Sequence, residues 1–455
     1  MLSPKGVGTA ATTRYSRPII KQLDRDILRL AVPALGALIA EPLFLLTDTA
    51  LVGHLGESAL AGLSIGSAVL QTAIGLLIFL AYATTPTVAR RLGAGDRPGA
   101  IRAGIDGMWL ALLIGASLVI VGLPLARWVV RLFGASPAVS EAAETYLTIS
   151  LWGLPGMLLV IAATGLLRGL QDTKTPLVVA VAGFGLNAGL NVLFIYGLGW
   201  GVAGSAAGTV VAQWAMAAVY VVMAVRAARV DGLSLRPGLR GVVTTAGSGL
   251  WLLARTASLR AAMLATVFVA TGLGVTELAT LQIAMTVFST LAFMLDALAV
   301  AGQALIGHGL GASDLDRVAL IRKRLVHHGL VSGAVLGLVI AAVSPFLGPV
   351  FTSDEGVQST LAVTLVVMAF GIPLAGYVFV LDGVLIGAGD ARYLALTGAL
   401  NLAAYLPLLI WLEVARPDNA LPWLWAAFGF GYLGARAVTL GVRARGTRWM
   451  VAGTR

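Results

Sequence analysis

Asp48 stands in Leu46-Thr47-Asp48-Thr49-Ala50, deep inside an apolar stretch, and of all the side chains it has the clearest chemistry to do. A carboxylate at the centre of a membrane helix costs about 2.5–3.5 kcal/mol on insertion scales, so its presence asks for a reason. Loss of water disfavours the charged carboxylate, which makes Asp48 a group able to take up and release protons. Glu41 lies two helical turns earlier on the same face, where it either joins the same water-filled cavity or pairs across an interface. Asn187 and Asn191 are one turn apart, and Thr209 follows in the next apolar stretch. Amides and hydroxyls donate as well as accept, so these three can hold Asp48 in either protonation state; the alternative is that they only bond helix to helix. Asp296 and Asp382 are the acids of the second half. Together with Glu41 they are expected at a substrate cleft or as secondary proton sites. Pro33 and Pro42 each remove a backbone hydrogen bond from the helix that carries Asp48, and a kink there would make that helix a hinge.

Such residues need elements that carry them through a bilayer. Apolar stretches near or above the roughly 20 residues that span a membrane fall at 28–53, 59–86, 102–125, 143–168, 174–197 and 201–227, then at 246–272, 277–306, 326–351, 358–386, 391–413 and 419–442. The chain is 58% hydrophobic and 11% charged, against roughly 25% charged in soluble domains. These proportions imply an all-α integral membrane protein of twelve transmembrane helices. The first stretch is long enough to span and flows into the second, so it is taken as a retained helix and not a cleaved signal peptide.

The two halves repeat at an offset of 218. Leu92-Gly93-Ala94-Gly95-Asp96 returns as Leu310-Gly311-Ala312-Ser313-Asp314, Gly153-Leu154-Pro155 as Gly371-Ile372-Pro373, and Gly165, Gly169 and Asp172 as Gly383, Gly387 and Asp390. Six helices per repeat is even, so the halves enter the membrane the same way and form two parallel six-helix lobes. The expected organisation is a basic tail at 1–26, an N-lobe at 27–227, a linker at 228–244, a C-lobe at 245–446 and a second tail at 447–455. Asp296 and Asp382 correspond to Ile78 and Thr164, so the acids are not part of the repeat scaffold. Asp96, Asp172, Asp314 and Asp390 fall in turns, where Asp supports the backbone, and Asp106 pairs with Arg102 one turn earlier.

A net charge of +10 would suit nucleic acid, but its placement argues otherwise. Of 31 Lys and Arg, 26 fall on one side of the predicted spans, three (Arg127, Arg131 and Arg416) on the other, and Arg255 and Arg260 lie within the seventh. The bias places both termini and the linker in the cytoplasm, in a multi-pass protein of the inner membrane. With no Cys there is no disulfide or thiolate metal site, and the four His form no metal spacing; no cofactor is expected beyond a coupling ion, H⁺ or Na⁺.

Thr47-Asp48-Thr49-Ala50-Leu51-Val52-Gly53 after Pro33, the Leu92–Asp96 loop, Gly165–Asp172, Asp296-Ala297 with Gln303-Ala304-Leu305, and Asp382-Gly383 with Gly389-Asp390 resemble the multidrug and toxic compound extrusion (MATE) family, in its DinF-like branch, over about 27–445. The resemblance implies two lobes in a V-shaped cleft, export of cationic or amphipathic drugs or toxins against inward H⁺ or Na⁺, Asp48 as the N-lobe cation-binding residue, and Asn187 and Thr209 as its polar partners; a functional monomer is expected. Two departures weaken a Na⁺ site: some relatives have Asp where Asn191 stands, and others a Glu in the seventh helix where this chain has Arg255. Both leave proton coupling favoured. Amphipathic cations are the expected substrates because an anion would meet Asp48, Asp296 and Asp382. Competing readings are a lipid-linked precursor flippase, which needs a strongly cationic cavity, and a major-facilitator transporter, whose loop motif Asp96-Arg97-Pro98-Gly99 matches only faintly. A membrane-embedded enzyme would need paired acidic metal motifs or a His cluster, and neither is found.

Overall fold

The repeat is written in the backbone as well as in the sequence. Left-handed residues occur in pairs separated by the same 218 positions: Gly56 with Gly274, Gly95 with Ser313, Gln171 with Gly389 and Gly201 with Asn419. Each closes a turn between consecutive helices, so the two halves turn their corners in the same way even where the side chain is not glycine. A computed structural model describes residues 17–454, apart from the side chains of Glu41 and Phe44.

Among the described residues every regular element is helical. The first half comprises α1 (Arg17–Gly53), α2 (Glu57–Gly93, interrupted at Ile78), α3 (Arg97–Arg131), α4 (Pro137–Leu151 and Leu154–Gly169), α5 (Lys174–Gly197, its last turn π-helical) and α6 (Gly201–Val230). The second comprises α7 (Leu239–Leu273), α8 (Val275–Gly311), α9 (Leu315–Phe351), α10 (Glu355–Gly387), α11 (Ala391–Ala415) and α12, which passes through Ala420–Ala426, a π-helical Ala427–Tyr432 and Leu433–Arg445. Ten of these are long and apolar enough to cross a membrane; α4 makes eleven if its halves, bent by 51°, are one crossing. The stretch expected as the twelfth span is helical from Ala420 to Arg445 but is not among the helices long and apolar enough to cross. The bend in α4 falls at Gly153-Leu154-Pro155, where Pro155 lacks an N–H for the preceding turn; the matching Pro373 is accommodated inside an unbroken α10.

The turn acids do what their positions suggest. Asp96 caps α3 by accepting from Gly99 N at 2.8 Å, and Asp314 caps α9 by accepting from Arg317 N at 3.0 Å. Asp172 accepts from Lys174 N and Thr175 N, both at 3.0 Å. Asp390 differs: its carboxylate is held by Arg443 at 2.6 and 3.2 Å. The segment between α6 and α7 is strapped to α3, with Arg97 on Asp231 at 3.0 Å, Trp109 Nε1 donating to Leu235 O at 2.9 Å and Gly238 N donating to Asp106 at 2.8 Å. Asp106 also pairs with Arg102 at 3.4 Å.

The halves meet along α8, which packs on α1 and on the second part of α2. Leu23, Ile27, Leu30 and Ala31 of α1 are buried in a core that continues through α8, α10 and α12. At the end of the bundle that carries the N-terminal part of α1, Asp24 takes a bidentate pair from Arg324 of α9 at 2.8 and 2.6 Å and a third contact from His328 at 2.9 Å. Arg90 of α2 donates to Ala388 O at 2.6 Å and to Val451 O at 2.8 Å. The opposite ends of the lobes are free of such ties among the described residues.

Candidate functional site

Glycines set the depth at which α5 and α6 approach. A Cβ at Gly204 would stand 2.8 Å from the Phe194 backbone, and one at Gly208 would strike the Asn191 amide. This small-xxx-small spacing lets two membrane helices come into backbone contact. Asn187 and Asn191 project from α5 one turn apart, and Ser205 and Thr209 from α6 one turn apart, so four polar groups share one seam.

Asp48 points into that seam and is 2% exposed. Its Oδ1 accepts from Asn191 Nδ2 and from Ser205 Oγ, both at 2.7 Å. Asn191 Nδ2 also donates to Asn187 Oδ1 at 3.0 Å, Asn187 Nδ2 to Thr209 Oγ1 at 3.0 Å, and Thr209 Oγ1 to Ser205 O at 3.1 Å. Asn187 and Thr209 therefore reach Asp48 through Asn191 and Ser205 and not directly. Asn191 Oδ1 is buried and has no hydrogen-bond partner. Among the described residues no cation pairs with Asp48. Ser205, which the sequence expectation omitted, is a direct partner; its spacing of four from Thr209 on a helix is the signal that would have found it.

Asn187 and Thr209 also line a cavity of about 50 Å³ shared with Gln71, Phe184, Gln213 and Met216, room for a few waters. The buried carboxyl is thus joined by hydrogen bonds to a cavity within the first lobe that is large enough for a few waters. Pro33 and Pro42 lie within α1, whose helix continues through both. Glu41 is on the same helix, and its side chain lies outside the described residues.

The acids of the second half stand elsewhere. Asp382 of α10 is paired with Arg255 of α7, through Nη2 and through Nε at 3.3 Å, and with Arg436 of α12 at 3.2 Å. Beside this cluster, Asn401, Thr397 and Tyr432 enclose only about 10 Å³, enough for about one water. Asp296 of α8 is within electrostatic reach of Arg168 of α4 and of Arg255, and Arg255 lies 5.9 Å from the Tyr82 ring of α2. Charges thus alternate across the meeting of the lobes, Arg168, Asp296, Arg255, Asp382, Arg436, with one cation in excess. The expected acidic cleft is not what these side chains make, because each acid faces two guanidinium groups.

Two parallel helical lobes are tied at one end and hold a buried carboxyl beside a small polar-lined cavity. The MatE family model matches residues 33–193 and 257–411, and the chain belongs to this MATE family, whose members are transporters and not enzymes. It is 28% identical to protein DETOXIFICATION 43 of Arabidopsis thaliana, over 91% of this chain and 89% of the relative. It is 27% identical to DNA damage-inducible protein F of Escherichia coli, over 92% of each. The fold superposes on a Vibrio cholerae MATE transporter, VcmN in its bent form, with a TM-score of 0.85 at 19% identity, covering 94% of this chain and 98% of that one.

Proposed function

We propose that the protein exports amphipathic small molecules from the cytoplasm by antiport with protons, and that Asp48 is the coupling residue. The observation that carries this is the company Asp48 keeps: a carboxyl 2% exposed, bonded only by neutral groups, and linked through Asn187 and Thr209 to a polar-lined cavity with room for a few waters. A permanently charged structural Asp would be matched with a cation, as Asp382 is. Asp48 instead has partners that serve either form. When it is ionised, Asn191 presents its NH₂. When it is protonated, rotation of the same amide turns the orphaned Oδ1 toward the new O–H. Protonation then changes the bonding between α1, α5 and α6, which biases the lobe between two shapes.

Sodium is the weaker reading, because the seam holds a single carboxylate and a hard cation favours several charged oxygens. The premise for cationic substrates, acids facing the cleft, is weakened by the pairing of Asp382 and the neighbours of Asp296. The test is transport by purified protein in proteoliposomes with a proton or a sodium gradient imposed separately. An outward-directed flux of amphipathic dye driven by protons alone, and abolished in a normally inserted Asp48→Asn variant, is expected. Sodium-driven flux, or undiminished proton coupling in Asp48→Asn, rejects the assignment.

A further inference from the structure

Arg260 lies near the middle of α7, is exposed, and has no ion-pair partner among the described residues. Its guanidinium is not turned away from the protein. A Cβ at Gly75 of α2 would stand 2.5 Å from Arg260 Nη2, so the side chain crosses from the second lobe and rests on the backbone of the first. Gly75 is one turn from Gln71, which lines the cavity of the first lobe. The guanidinium therefore lies against the face of α2 that also carries Gln71, where the lobes face each other.

An arginine in mid-membrane is costly, and such residues face a bundle interior or a water-filled space and mark a pathway. Arg168, Arg255 and Arg436 are each occupied by an acid or buried beside one. Arg260 is the cation left over, and the cluster behind it already carries an excess of one positive charge. No acid among the described side chains pairs with it, and the nearby cavity is lined by the neutral amides of Gln71, Asn187 and Gln213. We propose that Arg260 binds the anionic group of the exported compound, and that the substrates are amphipathic organic anions bearing a carboxylate, sulfonate or phosphate. The planar guanidinium offers two parallel N–H donors to such a group; the cavity behind Gln71, at about 50 Å³, has room only for waters, so the hydrophobic body stays outside it, where the lobes face each other. This names the substrate class for the export reading above and rests on it for direction only; recognition itself needs no ion gradient.

Binding is measured by fluorescence polarisation on detergent-purified protein, without a gradient, using carboxyfluorescein as the anionic probe and rhodamine 6G as the cationic one. Carboxyfluorescein should bind more tightly than rhodamine 6G to the unaltered protein. Arg260→Gln should weaken carboxyfluorescein by about tenfold or more, the loss expected for one charge-assisted bond. Arg260→Lys should fall between them, and rhodamine 6G should be unaffected or improved. Equal carboxyfluorescein affinity in Arg260→Gln, or preference of the unaltered protein for rhodamine 6G, overturns the proposal. Displacement of carboxyfluorescein by phosphatidylglycerol but not by octanoate would assign the guanidinium to a lipid headgroup and overturn it as well. Failure of the proton reading would appear as lost coupling in vesicles with this binding pattern intact.

Discussion

Gly93 lies directly on the backbone of His308, and Gly311, its counterpart 218 positions later, lies directly on the backbone of Arg90, which is the counterpart of His308. The contact is its own mirror image across the pseudo-twofold axis that relates the lobes. It brings the ends of α2 and α8 together where no side chain fits between them. Closure of that end therefore depends on two hydrogen atoms in place of two side chains.

Gly93→Ala and Gly311→Ala should each destabilise the protein by about 1–3 kcal/mol, the usual penalty for adding a methyl to a filled space. Symmetry predicts similar losses from both. Thermal unfolding of the purified variants checks this, with Gly95→Ala excluded as a control because its φ of 80° adds strain of a different kind.

Ser205→Ala removes a 2.7 Å bond to Asp48, whereas Asn187→Ala removes a group one bond further away. A hydrogen bond to a charged group is worth about 1.5–3 kcal/mol. Proton-driven flux should fall by about tenfold in Ser205→Ala and by less in Asn187→Ala. Initial rates in proteoliposomes, normalised to inserted protein, provide the comparison.

Asp382→Asn leaves Arg255 and Arg436 buried without their shared partner, and breaking a buried pair from one side costs about 3–5 kcal/mol. Low yield and early melting are expected. Replacing all three together, Arg255→Met, Asp382→Leu and Arg436→Met, should recover much of the loss. A triple variant no more stable than Asp382→Asn would show that the cluster does more than balance its own charges.

The charge bias predicts sidedness. The chain has no native Cys, so single thiols report cleanly. Ser234→Cys and Thr447→Cys, both exposed, should be labelled from the cytoplasmic side only, and the exposed Ser136→Cys from the opposite side only. Labelling of Thr447→Cys from outside would reverse the direction of transport proposed above.

Much of this architecture is legible in the sequence, for reasons that differ by residue. Asp48 is conspicuous because a membrane gives a carboxyl no cheap place to hide, and Asn187, Asn191 and Thr209 follow from spacing on neighbouring helices. Ser205 escapes notice because, between Gly204 and Ala206, it reads as one more small packing residue. The pairing of Arg255 with Asp382 spans 127 positions, and no local pattern marks it. The same holds for Arg436, which lies in a stretch whose apolar periodicity is broken by a π turn. The acids could be found from the sequence; the partners that neutralise them could not, and the expectation of an acidic cleft followed from that.

The strap between Asp231 and Gly238 has a mechanical consequence. The entry of α7 is fastened to α3 through Arg97, Trp109 and Asp106, while its middle is fastened through Arg255 to Asp382 of α10, which also holds Arg436 of α12. One helix is thereby clamped to both lobes. Between the clamps lie about 17 residues, roughly 25 Å of helix, and they include Gly241, Gly247 and Gly249. Any rocking of the lobes must flex that length like a leaf spring held at two points. The load of any such motion falls on a stretch of helix softened by glycine.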